Sequence, residues 1–307
     1  MFEKILVVTH KTRLQQLIER FNTFGQAKFY IEHAGGDFSD YQREDAAYQR
    51  ALEEVRRSLE LGLKIQLFDR SLLSTFTFTD RDIVIALGQD GLVANAAKYV
   101  GKQPLIGINP EPERFDGVLL PFLPAQAGPA VAAVIEGRAN IRAATLAESI
   151  LNDGQRLLAF NDFFAGAKSH VSARYKITVG KRTEAHSSSG VIVSTGAGST
   201  GWLSSVFNMA AGVNEFIGAK PGHRLSLSID DSRLVYVVRE PFRSKHSQAG
   251  IVAGVLESGG ELVLESLMPS GGTIFSDGIE SDFLDFNSGA TVRIRKATQA
   301  AQLVCKS

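Results

Sequence analysis

The feature that most constrains the fold is a buried strand that runs into a short glycine-containing turn and then into a helix. Residues Asp82 to Leu87 are nearly apolar on both faces, which predicts a strand covered on both sides of its sheet. The turn Gly88-Gln89-Asp90-Gly91 follows, then a helical stretch to about Val100, then a second strand from Pro104 to Ile108. A strand, a helix and a strand at this spacing form a βαβ unit, which predicts a parallel sheet.

The rest of the chain divides into two kinds of pattern. The first part alternates strand and helix signals, including a long helix predicted from about Asp40 to Leu61 and capped by Ser39 or Asp40. Further along, most segments read as short strands separated by clusters of Gly, Ser and Asp. We therefore predict an α/β, Rossmann-like nucleotide-binding domain with a parallel sheet over residues 1–138. A β-rich, sandwich-like domain is predicted over residues 139–307.

Charge and cysteine content exclude several classes of protein. Lysine plus arginine and aspartate plus glutamate both equal 33, and this balance argues against nucleic acid or an anionic membrane as the main partner. The single cysteine, Cys305, permits neither an internal disulfide nor a cysteine metal cluster, and the six histidines show no metal-ligand spacing. No apolar run approaches the roughly 20 residues of a membrane span, and the N-terminus lacks a signal-peptide pattern. We expect a cytoplasmic location and no metal site made of protein ligands alone.

The turn from Gly88 to Gly91 is the first stretch that can carry chemistry. Ligands of open parallel sheets bind beyond the carboxyl ends of the strands, and a helix N-terminus offers N–H groups and partial positive charge to a phosphate. The turn also holds the carboxylate of Asp90, which could take a proton from an attacking hydroxyl or position Mg²⁺. The alternative is that Asp90 only caps the helix.

A second candidate is the loop that leads from Ser194 to Trp202. It is rich in Gly, Ser and Thr, so it presents N–H and hydroxyl donors to a phosphate or a ribose, and Trp202 can offer an aromatic face to a base. No Gly-Lys-Ser or Gly-Lys-Thr is present, so this is not a Walker loop. The alternative is a tight structural turn with a buried tryptophan.

A third candidate is the pair Asn161-Asp162, which follows a short apolar run. An amide beside a carboxylate matches the donors and acceptors of the two hydroxyls of a ribose. The alternative is an ordinary Asn-Asp turn. Ser276-Asp277-Gly278 is a further turn signal that can line the same pocket.

Together and in this order, these stretches resemble the ATP–NAD kinase family. The Gly88 to Gly91 turn nearly repeats the family's Gly-Gly-Asp-Gly signature, and Asn161-Asp162 approaches its Asn-Glu pair. The third signature, Ser-Thr-Pro-Thr-Gly-Ser-Thr-Ala-Tyr, is matched at Ser194, Thr195, Gly198, Ser199 and Thr200.

Two further stretches carry the resemblance. Ile106 to Asn109 is similar to the family's Gly-Ile-Asn strand end. Pro110 to Gly117 and the pair Gly201-Trp202 look closer to the mitochondrial-type branch than to the common bacterial one.

The resemblance implies a kinase that transfers the γ-phosphoryl group of ATP to the adenosine ribose 2′-hydroxyl of NAD, in a cleft between the two domains. It implies Asp90 as the catalytic base, Mg²⁺ that arrives with ATP, and a homo-oligomer. The residues implied to bind substrate or nucleotide are Gly88, Gly91, Asn109, Asn161, Asp162, Thr195, Gly198, Ser199, Thr200, Trp202 and Ser205.

The sequence also departs from the family. Gln89 replaces a glycine, Leu92 replaces the usual threonine, and Asn95 stands where an arginine is common, with Lys98 one turn later as a replacement charge. Asp162 is one methylene shorter than the family's glutamate. Two alternatives therefore stay open: a kinase of the same fold that acts on a sugar or lipid hydroxyl, and a nucleotide-binding module that has lost turnover.

Overall fold

The computed structural model describes residues 2–219 and 225–306, which fall into two compact units. The first unit comprises the chain up to Arg142 together with the segment from Ala301 onward, and the second comprises Ala143–Ala300. The sequence predicts a domain boundary between residues 138 and 139, and this boundary remains a prediction.

The first unit alternates strands and helices, as the pattern of its sequence indicates. Its elements are β1 (Lys4–Thr9), α1 (Arg13–Phe21), α2 (Phe24–His33), α3 (Phe38–Ser58), β2 (Lys64–Asp69), β3 (Asp82–Leu87), α4 (Asp90–Val100), β4 (Pro104–Ile108) and α5 (Ala127–Ile135).

The strands of the first unit form a parallel sheet. The order is β2-β1-β3-β4, with β1 parallel to both β2 and β3, and β3 parallel to β4. Strand β2 lies on one side of β1, and β3 and β4 lie on the other side. The direction in which strands are added therefore reverses between β1 and β3. Ligands of open α/β sheets bind outside the carboxyl ends of the strands at such a point. Gly88, where the predicted turn begins, directly follows the carboxyl end of β3.

Helices α3 and α5 cover one face of this sheet. Their buried apolar side chains, among them Val55, Leu59 and Val131, pack in one cluster with Ile5, Ile85 and other strand residues. Every residue of β3 is buried, as its apolar sequence predicts. Helix α3 begins earlier than predicted, because the carboxylate of Asp37 accepts the N–H of Ser39 at 2.8 Å and provides the cap in place of Ser39 or Asp40.

The second unit is built mainly of antiparallel strands. Its strands are β5 (Asn140–Leu151, which begins in the first unit), β6 (Arg156–Ala159), β7 (Asp162–Ala167), β8 (Ala173–Val179), β9 (Arg182–Ser188), β10 (Val191–Ser194), β11 (Leu234–Val238), β12 (Ala253–Leu256), β13 (Glu261–Ser266), β14 (Gly272–Ser276), β15 (Ile279–Asp285) and β16 (Thr291–Cys305, which ends in the first unit). One helix, α6 (Trp202–Phe216), follows the Gly, Ser and Thr loop.

These strands form two layers with a shared core. Six of them make one antiparallel sheet in the order β12-β11-β10-β7-β14-β15. The other layer contains β16, β13, β8 and β9, with β5 and β6 beside them. Phe163 and Val193 of the first layer pack in one buried cluster with Tyr175 and Leu264 of the second, which is the sandwich-like arrangement that the sequence predicts.

The contact between α3 and α5 gives a test of the packing of the first unit. A Cβ atom at Gly128 of α5 would lie 2.1 Å from the carbonyl oxygen of Ser58, the last residue of α3. Because backbone must move to make room, we expect Gly128→Ala to lower the free energy of unfolding by about 1–3 kcal/mol, as overpacking does. Urea unfolding of the variant and the wild type measures this difference.

The matched control is Gly25→Ala in α2, where nothing lies within 4 Å of the added Cβ. This change should leave the free energy of unfolding unchanged or raise it by up to about 1 kcal/mol, because alanine favours a helix over glycine. A Gly128→Ala protein as stable as the Gly25→Ala protein would show that the two helices do not meet as described.

Candidate functional site

The turn after β3 packs against the ring of His10, the residue that follows β1. A Cβ atom at Gly88 would lie 2.7 Å from Cδ2 of His10, so only glycine fits without a shift of the ring. The N–H of Gly88 donates to the carbonyl of Ile108 at 3.2 Å and joins the ends of β3 and β4. The turn is therefore fixed to its neighbours on both sides.

Asp90 is the first residue of α4, and its side chain is half-buried. Its Oδ1 atom accepts the backbone N–H of Leu119 at 2.7 Å, and no other described residue hydrogen-bonds the carboxylate. The residue at the N-cap position is Gln89, whose side chain makes no capping bond. The carboxylate of Asp90 thus lies in the first turn of α4, where the partial positive charge of the helix favours a negative group.

Gln89 occupies its position without backbone strain. Its φ of −108° and ψ of 165° are extended values that any residue adopts, and its side chain is exposed. Two further departures from the family pattern, Leu92 and Asn95, are buried in α4 at 3% and 5% exposure. Within the described residues, Oδ1 of Asn95 has no hydrogen-bond partner.

Asn109 follows β4 and shapes the loop that supplies the partner of Asp90. Its side chain is 3% exposed, donates from Nδ2 to the carbonyl of Phe115 at 2.9 Å and accepts the N–H of Glu111 at 3.0 Å. On β4, a Cβ atom at Gly107 would lie 2.0 Å from the carbonyl oxygen of Leu119. The loop therefore returns directly against β4 and brings the N–H of Leu119 to Asp90.

In the second unit, the backbone around Asn161 is held by a carboxylate distant in sequence. Asp277 accepts the N–H of Asn161 at 2.6 Å and of Asp162 at 3.2 Å on Oδ1, and the N–H of Phe160 at 3.0 Å on Oδ2. The N–H of Asp277 donates in return to the carbonyl of Asp162 at 3.0 Å. The turn at residues 276–278 is thus hydrogen-bonded to the 160–162 turn through Asp277.

Asp162 is the first residue of β7 and is 6% exposed. Burial, and secondarily the charge of Asp277, raise the pKa of its carboxyl group to about 7. Asn161 beside it is half-buried, and in the described part of the chain its hydrogen bonds are made by its backbone. The pair therefore presents a carboxyl group that titrates near neutral pH and an amide available to a ligand.

The Gly, Ser and Thr loop packs on the opposite side of the same turn. The hydroxyl of Thr195 donates to the carbonyl of Phe160 at 2.5 Å, and the N–H of Thr195 donates to the carbonyl of Asn161 at 2.8 Å. The hydroxyl of Ser199 donates to the carbonyl of Gly196 at 2.6 Å. The two predicted stretches are therefore in direct contact, and Thr195 and Ser199 use their hydroxyls inside the protein.

The exposed end of this loop carries the groups that can reach a ligand. Thr200 and Ser205 are exposed. Trp202 is half-buried, and its ring stacks on Phe164 at a centroid distance of 5.8 Å. The Arg239 guanidinium lies 5.5 Å from the centre of the indole ring, and these three side chains line a cavity of about 410 Å³ with Phe275 and Phe283. Cavities of this size and lining hold small molecules in many proteins.

The structure places the predicted site residues in two groups. The first unit holds Gly88, Asp90, Gly91 and Asn109, and the second holds Asn161, Asp162, Thr195, Gly198, Ser199, Thr200, Trp202 and Ser205. In residues 2–219 and 225–306, no three His, Cys, Asp or Glu side chains come together in a way that could hold a metal ion. No helix in this part of the chain is long and apolar enough to cross a membrane.

The contact between the loop and the turn gives a second test. A Cβ atom at Gly198 would lie 2.2 Å from the carbonyl oxygen of Asn161 and 2.5 Å from Oγ of Ser194. We expect Gly198→Ala to push the loop off the turn and to cost about 1–3 kcal/mol in the free energy of unfolding. Gly212→Ala in α6, where the added Cβ meets nothing within 4 Å, is the control that should cost nothing. Equal stabilities of the two variants would argue against this contact.

Comparison with solved structures identifies the fold. The structure of yeast NADH kinase complexed with NADH superposes with a TM-score of 0.63 at 15% sequence identity, covering 100% of this chain and 84% of the yeast chain. An NAD kinase from Archaeoglobus fulgidus in complex with ATP superposes with a TM-score of 0.56 at 17% identity, covering 98% of this chain and 93% of the archaeal one.

At the level of sequence alone, no protein-family model and no curated protein matches the chain. The likeness is therefore one of architecture. The α/β unit with a parallel sheet and the β-rich, sandwich-like unit are confirmed, and the chain has the fold of the NAD and NADH kinases.

Proposed function

We propose that the chain is an NAD kinase, which transfers the γ-phosphoryl group of ATP to the adenosine ribose 2′-hydroxyl of NAD. The observation that carries the proposal is the carboxylate of Asp90. One of its oxygens is fixed by the N–H of Leu119 at 2.7 Å, and its other oxygen has no partner among the described residues. A half-buried carboxylate held in this way is suited to take a proton from an attacking hydroxyl.

The start of α4 suits the phosphates of the donor. Its free N–H groups and partial positive charge favour an anion. Gly91 is exposed, and a Cβ atom added there would meet nothing within 4 Å, so a phosphate chain can approach the backbone. Magnesium would arrive with ATP and be held largely by its phosphates. When bound, the ion would neutralise charge on the transferred phosphoryl group.

The second unit offers groups suited to the acceptor. The amide of Asn161 and the carboxyl group of Asp162 match the hydroxyls of a ribose. The exposed hydroxyls of Thr200 and Ser205 are available to a ribose or a phosphate, and Trp202 faces the cavity with an aromatic ring on which a base can stack. The ligands of the two similar structures, NADH in one and ATP in the other, support a dinucleotide acceptor and a nucleotide donor. The homo-oligomer and the cytoplasmic location stay predictions.

Replacement of the proposed base gives the direct test. We expect Asp90→Asn to lower the turnover of NADP formation by about 10²–10⁴-fold, because the amide keeps the shape of the side chain but cannot accept the proton. Binding of ATP and NAD, measured by calorimetry, should change little, since the amide oxygen can still accept the N–H of Leu119. NADP is measured with an NADP-specific dehydrogenase.

The control is Asp80→Asn, an exposed carboxylate before the amino end of β3, whose activity should equal that of the wild type. An Asp90→Asn enzyme with wild-type turnover would remove Asp90 as the base. A wild-type protein that binds ATP but forms no NADP would favour a sugar or lipid hydroxyl as acceptor. A protein that binds a nucleotide and consumes no ATP with any acceptor would favour the module without turnover.

A further inference from the structure

Asp277 is the first of the two residues, Asp277 and Gly278, that link β14 to β15 in a tight turn with positive φ angles, for which Asp-Gly is a favoured pair. Its φ is +53°, in the left-handed region, at the end of β14 and next to a register shift between Phe275 and Ser276. The conformation aims its carboxylate at the 160–162 turn, 115 to 117 residues away in the chain, where it accepts three consecutive N–H groups.

The three hydrogen bonds also favour a negative charge on Asp277. N–H donors favour the ionised form of a carboxyl group, so the turn surrounds an anion with its own backbone. The anion lies beside a second carboxyl group, that of Asp162, whose N–H it accepts at 3.2 Å.

The carboxyl group of Asp162, in contrast to that of Asp277, is buried without hydrogen-bond donors from the described residues. Asp162 is 6% exposed. The residues of the neighbouring elements that face it are uncharged: Ser194 pairs with it from β10, and Thr195 begins the loop behind the turn. Among the described residues, Asp277 is thus the charged group that acts on Asp162, and both burial and this charge disfavour the ionised form.

We propose that Asp277 is a positioning residue of the dinucleotide site: it fixes the Asn161-Asp162 turn through three N–H groups and keeps Asp162 a neutral acid when the dinucleotide binds. This inference rests on the proposed function. A neutral carboxylic acid donates one hydrogen bond, whereas a carboxylate can only accept. In this state Asp162 donates to an oxygen of the ligand and adds no negative charge beside its phosphates.

The first measurement is the affinity for NAD, by calorimetry, from about pH 6 to about pH 8.5. Since only the neutral acid donates, the wild-type affinity should fall above about pH 7, by up to tenfold per pH unit. Asp162→Asn carries a permanent donor at the same place, so its affinity should not change over this range. Asp277→Asn keeps an oxygen for two of the N–H groups but removes the charge that raises the pKa of Asp162, so the decline should begin at lower pH.

Three results on the pH dependence would overturn the inference. One is a wild-type decline that persists unchanged in Asp162→Asn, and another is a decline whose midpoint does not move in Asp277→Asn. The third concerns stability and needs no ligand. Because the pKa of Asp162 is raised on folding, the unfolded state releases its proton first, and stability should fall as the pH rises from about 4 to about 7. A wild type and an Asp162→Asn variant with parallel stability profiles would contradict this.

The two proposals fail in different ways. If NAD does not bind the wild type at any pH, the proposed function fails, and the stability profiles still decide the pairing of Asp162 with Asp277. If NAD binds but the affinity of all three proteins follows the same pH curve, the kinase proposal stands and the role of Asp277 is lost. Asp277→Ala, which removes all three N–H bonds, should weaken NAD binding at every pH, and wild-type affinity in this variant would also contradict the inference.

Discussion

The carboxylate of Asp277 fixes the 160–162 turn by hydrogen bonds, and the candidate site of the second unit depends on these bonds. Three backbone N–H groups point at one side chain on one face of the turn. On the other face, Thr195 donates to the carbonyls of Phe160 and Asn161, and Gly198 leaves room for the carbonyl of Asn161. Because the backbone of the turn is satisfied on both faces, the side chains of Asn161 and Asp162 are left for other contacts.

In the first unit, too, a carboxylate accepts a backbone N–H group, but here the carboxylate belongs to the candidate catalytic residue itself. Gly88 and Gly107 let the ring of His10 and the carbonyl of Leu119 approach the ends of β3 and β4. The returning loop then presents one N–H, that of Leu119, to the carboxylate of Asp90. Each unit thus fixes one carboxyl group by backbone hydrogen bonding, Asp90 directly and Asp162 through its own N–H. Preorganised groups of this kind are what phosphoryl transfer requires, since positioning supplies most of its catalysis.

The sequence predicts the local features of this fold well and the long-range ones poorly. The buried strand, turn, helix and strand from Asp82 to Ile108 follow from hydrophobic patterns within a few residues, and the structure confirms them. Helix α2 is not predicted, because Gly25 and aromatic residues obscure its helical pattern. The roles of Asp277 and Leu119 arise from contacts across 29 to 117 residues, and no local pattern marks a backbone N–H as a hydrogen-bond partner. The functional roles of the predicted site residues stay predictions.

The central claim is that a dinucleotide ribose hydroxyl is the acceptor of a phosphoryl group from ATP. The most direct measurement incubates the wild-type protein with ATP, Mg²⁺ and NAD and identifies the phosphorylated product by ³¹P NMR and by its use in an NADP-specific dehydrogenase. We expect a single new phosphomonoester that the dehydrogenase accepts as NADP, formed in step with ADP. ADP formation without that product, or a phosphomonoester that the dehydrogenase rejects, would contradict it.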